Sequence, residues 1–197
     1  MRKLIVANIM SLDGYYEGPG RNVMVLPMDH SFDAYNVERL RAADTLLLGR
    51  NSYEGFKGFW PQVADDPSAS PDNREISRLD NAIEKVVVSD GITEDETEPW
   101  RDTTRIVRRA DAHEQIADLK QGSGKDILVF GSRTLWNDLL TAGLVDELHL
   151  MVGSVVLGGG TPAFETPPAT PLRLLDTRTW DGSDNVLVRY AIAERSG

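Results

Sequence analysis

The chain has 197 residues and a mass of 21.8 kDa, which suits one domain able to bury an ordered core of its own. Hydrophobic residues at 41% and charged residues at 26% are ordinary for a globular protein and exclude disordered, fibrous and membrane-embedded classes. Lys plus Arg number 21 against 31 Asp plus Glu, so the formal charge is −10, and with no basic stripe the field argues against a nucleic-acid partner.

Cysteine is absent, which removes disulfides, thiolate nucleophiles and Cys-based metal sites. The three histidines, His30, His113 and His149, are widely spaced, so no metal site is expected. The opening MRKLIVANIMSLDG has a basic start but only a short apolar run and no small-residue cleavage site, so it reads as a first strand and not as a signal peptide. No stretch is apolar for long enough to cross a bilayer. The expected compartment is the cytoplasm.

In chain order, residues 3–10 form an apolar strand, followed by a Gly-rich loop over 11–20. Residues 31–43 have helical spacing of Phe32, Val37 and Leu40, with Ser31 placed to cap them. A short buried strand over 45–48 stops at Gly49, and polar residues then open a short helix. Residues 61–73 are rich in Pro, Asp and Ser and read as a loop; 74–83 form a helix and 85–88 a strand. After an edge strand at 105–107 come a helix at 112–120, a buried strand at 126–130, and a helix from Arg133 that closes at Gly143. From there the pattern loses its helices: strands are expected at 147–152, 155–157, 172–179 and 185–193. Parallel βα units followed by antiparallel strands predict a single domain over 1–197, an α/β fold with a mixed sheet flanked by helices.

Several stretches have residues suited to chemistry. Gly49, Arg50, Asn51 and Ser52 follow a buried strand and open a helix, so backbone N–H groups and the Arg50 fork can meet a phosphate; the alternative is a plain strand-to-helix turn with Arg50 solvated at the rim. Gly131, Ser132, Arg133 and Thr134 repeat the arrangement, although the GxGxxG fingerprint is missing. Leu12, Asp13 and Gly14 form either a turn or a loop that closes over a ligand. Asp33 shares a helix face with Val37 and Leu40, so its carboxylate either points inward, where it could orient a substrate ring, or complements the helix dipole. Tyr35, Tyr53, Phe56 and Trp60 offer an aromatic wall or ordinary packing. The three glycines at 158–160 lie between strands with no helix behind them and read as a turn.

The blocks SLDG (11–14), LLLGRNSYEGF (46–56), VVVSD (86–90), DILVFGSRTLWNDLL (126–140) and GLVDELHLMVGSVVLGGGTPAF (143–164), in this order, resemble the dihydrofolate reductase-like superfamily. The closer likeness is to the branch that contains the reductase domain of riboflavin biosynthesis, favoured by Gly131-Ser132. That resemblance implies a three-layer fold with a mixed eight-stranded sheet, homodimerisation, and NADPH bound across the strand ends. It places Arg50, Asn51 and Ser52 on the 2′-phosphate, and Gly131, Ser132, Arg133 and Thr134 on the pyrophosphate. Ala7, Asn8, Leu12, Asp13 and Gly14 would lie at the nicotinamide and Ser89 beside the adenosine.

Asp90 departs from the family pattern by setting an acid close to the 2′-phosphate position, unless Arg108 or Arg109 compensates. The chain shows no zinc deaminase motif, so the bifunctional riboflavin enzyme is not expected. The expected function is an NADPH-dependent reductase delivering hydride to a C=N or C=O carbon of a small heterocyclic or sugar-linked substrate, like 5-amino-6-(5-phosphoribosylamino)uracil reductase or dihydrofolate reductase, with Asp33 orienting the substrate. The rivals are a catalytically silent NADPH-binding module of the same fold and an α/β domain whose Gly turns are only structural.

Overall fold

The computed structural model describes residues 1–193. Strand β1 (Leu4–Ser11) and the short β2 (Tyr15–Glu17) lead to helix α1 (His30–Ala42), β3 (Ala43–Gly49), α2 (Arg50–Phe59), α3 (Pro71–Ala82) and β4 (Glu84–Val88). There follow β5 (Thr104–Val107), α4 (Ala112–Gln121), β6 (Asp126–Phe130), α5 (Arg133–Thr141), β7 (Glu147–Gly153), β8 (Thr161–Pro162), β9 (Leu172–Arg178) and β10 (Val186–Ile192). Eight strands make one sheet in the order β5-β4-β3-β6-β1-β7-β10-β9, while β2 and β8 pair separately. Pairings from β5 through to β7 are parallel; β10 runs antiparallel to both β7 and β9.

The central strands read as continuous apolar runs because both faces are covered. Leu4, Val6, Ile127 and Val129 point to the side held by Ile116 of α4 and by Trp136 and Leu139 of α5. Ile5, Ala7, Leu128 and Phe130 point to the other side, against Val37 and Leu40 of α1, Tyr53 of α2 and Ile76 of α3. This is the expected three-layer arrangement. No helix among the described residues is long and apolar enough to cross a membrane.

Four local expectations are corrected. The α1 cap is Asp29, whose carboxylate accepts from the Ser31 N–H (2.9 Å) and hydroxyl (2.6 Å); the Asx residue lies two positions earlier and leaves Ser31 buried in the first turn. Helix α3 starts at Pro71, because Ser70 caps it through Asn73 N and proline's missing N–H costs nothing at that position. A 3-10 turn over Trp60–Asp65 occupies the start of the expected loop. Residues 155–157 are not a strand; that segment runs beside the 11–14 turn, with one backbone bond from Leu12 N to Val155 O. The expected domain 1–197 extends four residues past those described.

Candidate functional site

Neighbouring parallel strands β3 and β6 both end in glycine turns that start helices, the place where open α/β sheets hold ligands. Gly131 (φ 57) and Ser132 (φ 53) are both left-handed, which turns the chain sharply and points the Ser132 hydroxyl away from its own helix. That hydroxyl accepts from Gly49 N (3.0 Å), while Ser52 Oγ accepts from Ser132 N (2.7 Å). Asn8, in β1 just past its last pair with β6, accepts from Gly131 N (2.7 Å) and donates to Gly131 O (3.3 Å). Three turns far apart in sequence are therefore tied into one wall.

These bonds narrow the anion cradle expected at 131–134. The N–H groups of Gly131 and Ser132 are spent on Asn8 and Ser52, so the donors left are the Ser132 hydroxyl, which accepts from Gly49 N and keeps its own hydrogen, and the first-turn N–H groups of α5 from Arg133 onward. No side chain caps α5 or α2, so both positive helix ends stay open. Arg133 itself reaches sideways to Pro162 O and to Glu165 (2.9 Å).

Arg50 lies across Gly91, where a Cβ would come within 2.6 Å of its guanidinium, and it bonds Glu54 at 2.7 Å. Ser89 is buried, and its hydroxyl accepts from Gly91 N and Ile92 N (both 3.2 Å), so it shapes the turn after β4. Asp90 accepts from Arg109 N (3.0 Å) and lies 3.7 Å from its guanidinium, while Arg108 holds Ser89 O (3.0 Å). Arg109 is thus the residue that offsets the acid.

Asp13 receives Ser11 Oγ (2.6 Å), Leu157 N (3.1 Å) and Gly158 N (2.8 Å), bonds that hold its carboxyl down at about 2. It pins the triple-glycine turn to the loop after β1. Tyr16, in β2, was not singled out from the sequence. Its hydroxyl sits where a Cβ on Gly131 would meet it at 3.2 Å, and burial pushes it up to about 12. The adjacent tyrosines in a Gly-rich loop were the available signal.

On the other side of β1, a narrow crevice with no room for a water molecule is lined by Ala7, Asn8, Phe32, Tyr35, Asn36, His149, Met151 and Leu187. Along β7 the side chains of Glu147, His149 and Met151 alternate onto this face. Tyr35 Oη bonds His149 Nδ1 (2.7 Å), and His149 Nε2 bonds Glu147 (2.7 Å). Burial holds His149 down at about 4 and pushes Tyr35 up to about 12. Burial opposes ionisation of Glu147, but hydrogen bonds from Lys3 (2.6 Å) and His149 outweigh it and keep the carboxyl below its ordinary value. A neutral His149 therefore donates from Nε2 to Glu147 and accepts the Tyr35 hydroxyl at Nδ1.

A family model described as the RibD C-terminal domain matches residues 2–188. The chain belongs to the RibD C-terminal domain family. It is 31% identical over 180 residues, 91% of this chain and 89% of the other, to the uncharacterized protein YyaP of Bacillus subtilis (strain 168). The chain is also similar to the Thermotoga maritima diaminohydroxyphosphoribosylaminopyrimidine deaminase/5-amino-6-(5-phosphoribosylamino)uracil reductase (11% identity, TM-score 0.66), matching over 98% of its length but only 57% of that chain. The Enterococcus faecalis dihydrofolate reductase complexed with NADP(H) and RAB-propyl matches at 15% identity and TM-score 0.61, over 98% of this chain and 97% of the other. At these identities the two structures establish the fold, that of pyrimidine- and folate-type reductases.

Within this RibD-type domain the structure brings Asn8, Gly49, Ser52, Gly131 and Ser132 together, with Arg50, Asn51, Arg133 and Thr134 at the two open helix ends. It does not bring Asp33 to the crevice. On α1 the residues that face it are 32, 35 and 36; Asp33 turns with Val37 and Leu40 toward α3. There burial, then Asp72 and Asp29, push its carboxyl up to about 6. The expected aromatic wall is also dispersed: Tyr53 is fully buried and bonds Thr97 O, Phe56 and Trp60 pack on the α1–α3 core, and Tyr35 alone of the four reaches the crevice.

Proposed function

We propose that this domain is an NADPH-dependent reductase acting on a C=N or C=O carbon of a small heterocyclic or sugar-linked molecule. The observation that carries the reading is the pair of adjacent, uncapped helix N-termini at Gly49 and Ser132, cross-tied to Asn8 of β1 beside the crevice. The residues fit an extended dinucleotide. A side chain at Gly131 would come within 2.8 Å of Ser52 Oγ, and the left-handed turn keeps the backbone bare where a pyrophosphate would approach.

Arg50, with the α2 N-terminus, would hold the 2′-phosphate, and the first-turn N–H groups at Arg133 and Thr134 the pyrophosphate. Ala7, Leu12 and Gly14 would border the nicotinamide. When bound, a reduced nicotinamide supplies the hydride; the protein orients it and excludes water. Tyr35, with its hydrogen directed to His149, would present its oxygen to an N–H or O–H of the substrate. Homodimerisation is proposed through the free edge of β9, where Leu174 is 52% exposed.

The test is a titration of the purified protein with NADPH and with NADH, read by quenching of its four tryptophans. NADPH is expected to bind, and Arg50→Ala to weaken it by about 2–3 kcal/mol while leaving NADH unchanged. Binding of neither dinucleotide overturns the reading.

A further inference from the structure

The second cavity, of about 330 Å³, opens at the opposite end of the sheet, where β1, β6 and β7 begin. Along β6 this is about 15 Å from the Gly131 turn, at 3.3 Å per residue. Its wall carries Arg2, Lys3, Arg39, Lys125 and Arg189. In a chain of net charge −10, this gathering of cations runs against the overall field.

The carboxylates of the wall use only part of these donors: the exposed Lys3 ammonium gives one N–H to Glu147 and keeps two. Glu147 is taken by Lys3 and His149, and Asp126 comes no closer than 4.0 Å to Arg39. Arg2 is locked by Asp44 and Thr45, and Arg189 by Asp176 (3.0 Å). Arg39 differs: its guanidinium sits over the Tyr35 ring at 5.6 Å, comes no closer than 4.0 Å to Asp126, and makes no side-chain hydrogen bond among the described residues. A stacked arginine whose outer N–H groups are unpaired, at the wall of a cation-lined cavity, is the arrangement that an oxyanion completes. Lys125, exposed at the rim, offers an ammonium held only by Arg41 O at 3.3 Å.

We propose that this cavity binds a small phosphate-bearing molecule through Arg39, Lys3 and Lys125, independently of the dinucleotide site. Because Glu147 belongs to both the cavity wall and the Tyr35–His149–Glu147 chain, the bound phosphate also changes the field at His149.

The experiment uses inorganic phosphate at constant ionic strength, with thermal stability and the imidazole NMR signals of the three histidines as readouts. Phosphate is expected to raise the melting temperature of the wild type and of Arg50→Ala alike, and to move the His149 signals while leaving His30 and His113 in place. Arg39→Gln and Lys125→Gln are each expected to weaken phosphate at least about tenfold, the loss of one charge-assisted hydrogen bond. If Arg39→Gln does not fold, the exposed Lys125→Gln decides alone. The proposal is overturned if phosphate has no effect, if both variants respond as the wild type does, or if the response disappears in Arg50→Ala, which would put the anion at the dinucleotide end. A sugar phosphate binding more tightly than phosphate would support a phosphate ester as ligand.

Discussion

Gly131 is the residue on which the candidate site depends most directly. Its φ of 57° and the 2.8 Å approach of Ser52 Oγ leave no room for a side chain. Gly131→Ala is expected to lose about 1–2 kcal/mol in urea unfolding from the left-handed backbone alone, and to weaken dinucleotide binding further. Two buried titrating groups give opposite pH signatures. His149, held at about 4, refuses a proton that the unfolded chain accepts near 6.5, so it costs stability as pH falls through that interval. Asp80, on α3, has both carboxylate oxygens buried without partners, and burial pushes it up to about 7. It keeps a proton that the unfolded chain releases near 3.8, so its contribution is lost as pH rises toward 7. Relative to wild type, His149→Gln should tilt stability between pH 4 and 6.5 downward with rising pH, and Asp80→Asn upward, in melts recorded across that range.

At the scale of elements, the buried parallel strands were legible because apolar runs such as Ile127–Phe130 need no partner pattern to be read. Helix ends were harder to place where two capping residues lie close together, as at Asp29 and Ser31, or where a cap hides among loop formers, as at Ser70. Val155–Leu157 has the composition of a strand, but Asp13 holds the next turn to a different loop. The glycine turns of the site could be read from the sequence. Which of their N–H groups remain free could not, since that depends on Asn8 and on Ser52, both far from residue 131 in the chain. The polar alternation of Glu147 and His149 in an apolar strand was a visible signal for the chain to Tyr35, though its partner on α1 was not. Asp13→Ala is expected to speed amide exchange at Leu157 and Gly158 and to expose 155–160 to proteases. With Asp13 held at about 2, the same pin should persist in mild acid.

For the whole molecule, the order β3-β6-β1 has a consequence for how the protein is made. The middle strand of that trio is translated long after its neighbours, so a nascent chain of the first 120 or so residues has β1 and β3 with open edges facing a gap. The gap closes only when Asp126–Phe130 leaves the ribosome, and the same event brings Gly131 to Asn8 and Ser132 to Gly49 and Ser52. A chain truncated at Gly122 is therefore expected to show no cooperative unfolding by circular dichroism. The hydrogen bonds that shape the candidate site also serve as the latch of folding: a ribosome stalled before β6 carries neither the site nor a finished sheet, and chaperones would be expected to find their longest exposure there.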